Sequence, residues 1–254
     1  MTGTTPIHDA RERAAAERSS VAEKASELAT FRSRLESISP TQVTRESTTQ
    51  TVSGPITASG GTDRRSTVRS AFAETVAPHA DGDSTLAALR TELGEGVALA
   101  LAPTTQTAFT PELRSQVFTA TRSRRQELAV TEKALDREAD QVDAAMEPVD
   151  SLLAWLRTAD QTPLSGLGFE ELRARHDRLT EWDSRLETVI ERRQTFLHGT
   201  TSDSGQVGVD NHDLVLTVYD DFAVDHPVLA TVAELQGVLD DCRAAVRDHL
   251  VRRV

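Results

Sequence analysis

Apolar residues recur along this chain at helical intervals, most plainly in "RRQELAVTEKALDREADQVDAAMEPVDSLLAWL" at 124–156. There Leu128, Leu135, Val142, Val149 and Leu156 follow one another every seven residues, the spacing that keeps one helix face against a partner. The same pattern begins after Thr110, where Thr110 as cap, Pro111 at the first helical position and Glu112 in the first turn mark a helix start. A helix from 111 to 159 would be about 73 Å long if unbroken. Pro148 falls inside it, and a mid-helix proline costs ~3 kcal/mol because one backbone bond is lost. The stripe keeps its phase across Pro148, which predicts a kink rather than a stop.

Three further segments share this periodicity. Residues 8–38 place Ala14, Val21, Leu28 and Leu35 at one heptad position, joined by Phe31 and Ile38. Residues 169–197 place Leu172, Leu179 and Leu186 at one position and Trp182, Val189 and Phe196 at its complement. In 227–252, Val228, Leu235 and Cys242 alternate with Val232, Leu239 and Val246, which puts Cys242 in the core. Between 66 and 102 two or three short helices are expected, one carrying Val68, Phe72 and Val76, another capped by Asp83 and ended by Gly94. "HDLVLTVYDDF" gives one more.

Residues 39–65, rich in Ser, Thr and Gly, lack periodicity and read as a flexible linker, with only a weak hairpin signal in "TVSGPIT". The expected organisation is therefore an N-terminal amphipathic helix in 1–38, a linker in 39–65 and a helical bundle domain in 66–254. The fold class is all-α: long amphipathic helices in an antiparallel, coiled-coil-like bundle with a smaller helical cap from 66–102.

Composition narrows the setting. Of 254 residues 38% are hydrophobic but only 4% aromatic, so the core is aliphatic. Net charge is −12, which opposes encounter with nucleic acid or an anionic membrane. Lys24 and Lys133 are the only lysines among 28 basic side chains, so the other 26 are arginines. A GC-rich genome explains arginine over lysine, and a salt-rich cytoplasm explains the acidic excess. Cys242 is the sole cysteine and excludes an intrachain disulfide. The start "MTGTTPIHDARER" has no signal-peptide core, and "VALALA" at 97–102 is far short of the ~20 apolar residues a membrane span needs. A cytoplasmic protein is expected.

Candidate chemistry is sparse. "SGLG" and "GQVG" lack the lysine and preceding strand of a phosphate-binding loop. "HADGD" at 79–83 lacks the ligand series of a calcium loop, and helix capping accounts for it. His176 sits on a helix flank, and His226 precedes Pro227 at a helix start crowded by Asp220, Asp221 and Asp225. Arg122, Arg124 and Arg125 lie among Glu127, Glu132 and Asp136, and at molar salt the Debye length of about 3 Å strips such a patch of reach. No catalytic residue, cofactor site or metal site is expected.

The stretches "VRSAFAETV", "FTPELRSQVFTATRSRRQELAVTEKALDREADQV", "LRARHDRLTEWDSRLETVIERRQTFL" and "HPVLATVAELQGVLDDCRAAV" together resemble a haloarchaeal helical family of unknown function. The resemblance covers most of 66–252 and part of the first helix. Its motifs are helix-periodic rather than catalytic, so it implies a salt-loving source and no active-site residues. The leading expectation is a non-enzymatic protein-interaction or self-association module, with Val21, Leu28, Phe31 and Leu35 as the anchors of a tethered docking helix. The alternative is a DNA-binding regulator using 66–125.

Overall fold

A computed structural model describes residues 5–41, 59–105, 108–201 and 209–253, without the side chains of 59–63 and 201. The protein is all-α: 82% of the described residues are helical. In order, the helices are α1 (Pro6–Ser37), α2 (Ser59–Thr75), α3 (Thr85–Leu93), α4 (Glu95–Leu101), α5 (Pro111–Asp160), α6 (Phe169–Leu197), α7 (Asn211–Val218) and α8 (Pro227–Val251). A two-residue antiparallel ladder, β1 (Thr200–Thr201) with β2 (Val209–Asp210), pairs Thr200 with Asp210 between α6 and α7.

Local rules account for the boundaries. Thr110 Oγ1 accepts from Leu113 N–H at 3.3 Å, as the start signal predicts. The cap of α3 is Ser84, whose side chain accepts from Ala87 N–H at 3.2 Å, and not Asp83 one residue earlier. Gly94 ends α3 at φ 87°, a conformation that disfavours any residue with a Cβ. The helix expected from 66 begins at Ser59, while 42–58, including the "TVSGPIT" hairpin, lies outside the described residues. Helix α5 continues through Pro148 without a break, as the in-phase stripe requires.

The chain divides into two compact units: Met1–Arg18 with Lys133–Val254, and Ser19–Glu132. In the first, hereafter the C-terminal unit, Ile7 of α1 joins Val142, Val149 and Leu152 of α5, Leu172, Leu179, Trp182 and Leu186 of α6, and Val228, Val232, Leu235, Leu239 and Val246 of α8 in one core. Ala145, Val189 and Val228 meet at one level, and Leu156, Leu179 and Cys242 at another. Residue number rises from the first level to the second in α5 and α8 and falls in α6, so α6 runs against both. Cys242 is half-buried at the margin of this core rather than within it.

In the second unit, Leu28, Phe31 and Leu35 of α1 pack against Val68, Phe72 and Val76, with Leu89, Leu93, Leu101, Phe109, Val117 and Leu128 completing the core. Phe31 and Phe72 meet edge to face with ring centroids 5.4 Å apart. Full burial of each such side chain is worth about 1.5–3 kcal/mol, which offsets the weak start of the alanine-rich α1 stripe.

Candidate functional site

Among the described residues two charged clusters each centre on a buried carboxylate. In the C-terminal unit Glu138 of α5 is fully buried, and Arg193 of α6 is 2% exposed. Arg193 donates twice to the Glu138 carboxylate, from Nη1 to Oε2 at 2.7 Å and from Nη2 to Oε1 at 2.9 Å. The hydroxyl of Tyr219, just past α7, donates to Glu138 Oε1 at 2.8 Å. The Arg193 guanidinium also stands 5.2 Å from the Phe196 ring centre. Burial, and then the adjacent Glu138 carboxylate, push the Tyr219 phenol far above its ordinary value, so it stays a neutral donor. Nearby, burial and then His212 hold His226 below its ordinary value. The His212 and His226 rings are 5.4 Å apart.

The second unit holds Glu92 of α3, whose side chain is wholly shielded. Arg124 Nε donates to Glu92 Oε2 at 2.8 Å, and Arg124 Nη1 to Glu127 at 3.0 Å. Lys24 Nζ lies 3.3 Å from Glu92 Oε1, at an angle too poor for a hydrogen bond, so charge rather than a directed bond holds that oxygen. Burial by itself would lower Arg124, but the hydrogen bonds to Glu92 and Glu127 more than offset it and raise it. Arg124, one of the basic run at 122–125, is thus engaged by two carboxylates of its own chain.

The Glu138 carboxylate is fully engaged, whereas Glu92 Oε1 accepts no hydrogen bond. A carboxylate that accepts three directed bonds in a dry interior rigidifies the helices that carry it. The same residues are in register with the apolar stripes: Glu138 is one heptad before Ala145 and two before Leu152, and Arg193 is one heptad after Leu186. A charge at a core position was the signal that sequence reasoning passed over.

The residues singled out from sequence are placed as follows. Leu28, Phe31 and Leu35 are fully buried in their own unit's core, and Val21 is half-buried at its edge. Their partners are the chain's own α2, α3 and α5. His176 is half-buried beside Asp177, its nearest carboxylate, at 3.9 Å. His226 is the N-terminal cap position of α8, as the following proline implies. Among the described residues no group of His, Cys, Asp and Glu is placed to hold a metal ion. No helix among them is long and apolar enough to cross a membrane.

The C-terminal unit opens to the outside in a polar cleft of about 540 Å³ lined by Gln194, Leu197, His198, Asp210, His212 and Asp213, and in an apolar one. The apolar cleft, of about 440 Å³, lies among the last turns of α5, the first turns of α6 and the later turns of α8. Trp155, Leu156, Leu179, Val238, Cys242 and Val246 form its walls, and Pro163 and Leu164 close one side. Val238 stands 44% exposed. Three charged side chains also line it: Arg157 and Asp160 of α5, and Arg175 of α6. Arg175 Nη1 donates to the Thr162 carbonyl at 3.3 Å. Burial, then Asp241 and Asp160, raise the Cys242 thiol above its ordinary value, which keeps it protonated and weakly nucleophilic. Volume and lining fall in the range of about 300–1,000 Å³, mostly apolar, that binding clefts occupy.

The family described as a domain of unknown function, DUF7260, matches residues 5–243. No curated protein matches the chain. No solved structure matches it.

Proposed function

The chain belongs to the DUF7260 family, and from that premise we propose that it is a non-enzymatic helical module that works by protein–protein contact or self-association in the cytoplasm of a salt-adapted cell. The observation that carries this reading is the open apolar cleft of the C-terminal unit, set against charged clusters that are neutralised internally. Acid–base or nucleophilic chemistry needs ionisable groups that reach a substrate. Glu138 and Arg193 instead spend their hydrogen bonds on each other, and Glu92 accepts from Arg124. An apolar recess between helices is what a side-chain ridge of another helix fills. The net charge of −12 and the near absence of lysine support the salt-adapted setting, in which apolar contact is strengthened and long-range charge is screened.

The site of contact moves from the sequence-based choice for a physical reason. Leu28, Phe31 and Leu35 anchor α1 within its own unit, so they are not free to grip a partner. The cleft is. The test uses Cys242, the only cysteine, which lines it. Tagged protein, untreated or modified at Cys242 with a bulky maleimide, is incubated at molar KCl with native lysate, with and without nuclease treatment. A protein enriched by the untreated bait and lost on modification supports the reading. Enrichment indifferent to modification, or none at all, removes its support, and binding that disappears only with nuclease would point to DNA instead.

A further inference from the structure

Resting on that interaction reading, we propose that the occupant of the cleft is a second copy of this chain, joined about a two-fold axis so that the same face of each copy covers the other. Such an isologous contact requires a face complementary to itself. The cleft face has both halves of that requirement. A projection, Val238 at 44% exposure on α8, stands beside a recess walled by Trp155, Leu156, Leu179 and Val246. Both signs of charge line the same opening, Asp160 from α5 and Arg175 from α6, and neither makes an ion pair within 4 Å among the described residues. A two-fold axis through the face brings Asp160 of each copy toward Arg175 of the other.

Charge also says why this face and a second copy suit each other. At molar salt the long-range repulsion between two molecules of net charge −12 is screened, so only charges in direct contact discriminate between faces. At the contact itself the lining offers both signs, Asp160 against Arg157 and Arg175, so each copy can answer the charges of the other. Burial of the walls drives association, and the Asp160–Arg175 pairs select its register.

Sedimentation equilibrium of the full chain in molar KCl tests this with four variants. The wild type is expected to rise from monomer to dimer mass with concentration, and Cys242 modification by a maleimide to slow in step as the cleft is covered. Asp160→Arg and Arg175→Asp each place like charges opposite one another and should weaken the dimer by about tenfold or more. The double variant Asp160→Arg with Arg175→Asp restores opposite pairs across the axis and should recover dimerisation to within about threefold of wild type. Val238→Glu, at an exposed position, should abolish the dimer while leaving the helical circular dichroism unchanged. Monomer mass at all concentrations, with Cys242 modified at a constant rate, overturns the proposal and leaves a different protein as the partner in the broader reading. A dimer that the double variant does not recover overturns this face as the interface, while self-association itself stands.

Discussion

Replacing Glu138 by leucine would strand a charge where water cannot reach it. Arg193 is 2% exposed and spends two donors on Glu138, and the Tyr219 hydroxyl spends its proton there too. Removing one partner of a buried pair typically costs about 3–5 kcal/mol, because the remaining charge is uncompensated. Loss of the acceptor for the phenol adds ~1 kcal/mol. Removing all three polar groups together, as Glu138→Leu, Arg193→Met and Tyr219→Phe, eliminates the desolvation cost along with the bonds and should lie within about 1–2 kcal/mol of wild type. Both tryptophans, Trp155 and Trp182, belong to the C-terminal unit that holds this cluster. Their fluorescence in urea therefore follows the affected unit, and urea leaves ionic strength untouched. With a slope of about 2 kcal/mol per molar, the single variant should move the midpoint down by roughly 2 M. A single-variant loss below about 1 kcal/mol, or a triple variant as unstable as the single one, would refute the view that the cluster acts as one closed charge network.

Ser84→Ala should cost about 1 kcal/mol through loss of the α3 cap, whereas Asp83→Ala should change stability by less than ~0.5 kcal/mol; thermal melts by circular dichroism separate the two. Pro148→Ala should stabilise the protein by roughly 1–3 kcal/mol, because α5 already runs through that position and alanine restores the missing donor; a lower melting temperature would mean the ring's packing outweighs the lost bond. His226 is held below its ordinary value in the folded protein, so the unfolded chain binds its proton more readily. Its contribution is fully present above the unfolded value near ~6.5 and is lost as pH falls through the lower folded value. His226→Asn should flatten that part of the stability–pH profile, measured as urea midpoints across the acid limb, and an unchanged slope would contradict the assignment.

Much of this architecture follows from sequence through one physical rule, that a helix must bury its apolar stripe. The rule places 169–197 to the residue and carries α5 through Pro148 because Val142, Val149 and Leu156 stay in phase. It also yields the chain signals at Thr110 and Gly94, where single side chains or a positive φ decide the boundary locally. Periodicity says that Leu28, Phe31 and Leu35 need a partner, but a stripe carries no address. Only the folded chain assigns them to Val68 and Phe72 of its own α2. Glu138 and Arg193 were legible as charges in core register, yet the fact that they answer each other across 55 positions is a property of three dimensions. The cleft is later still in that order, since it exists only where the ends of α5, α6 and α8 meet around residues the sequence reads as ordinary stripe. Burial pattern is a one-dimensional property because each residue's helical phase is set by its neighbours, whereas partnership and cavity are set by which helices the chain brings together.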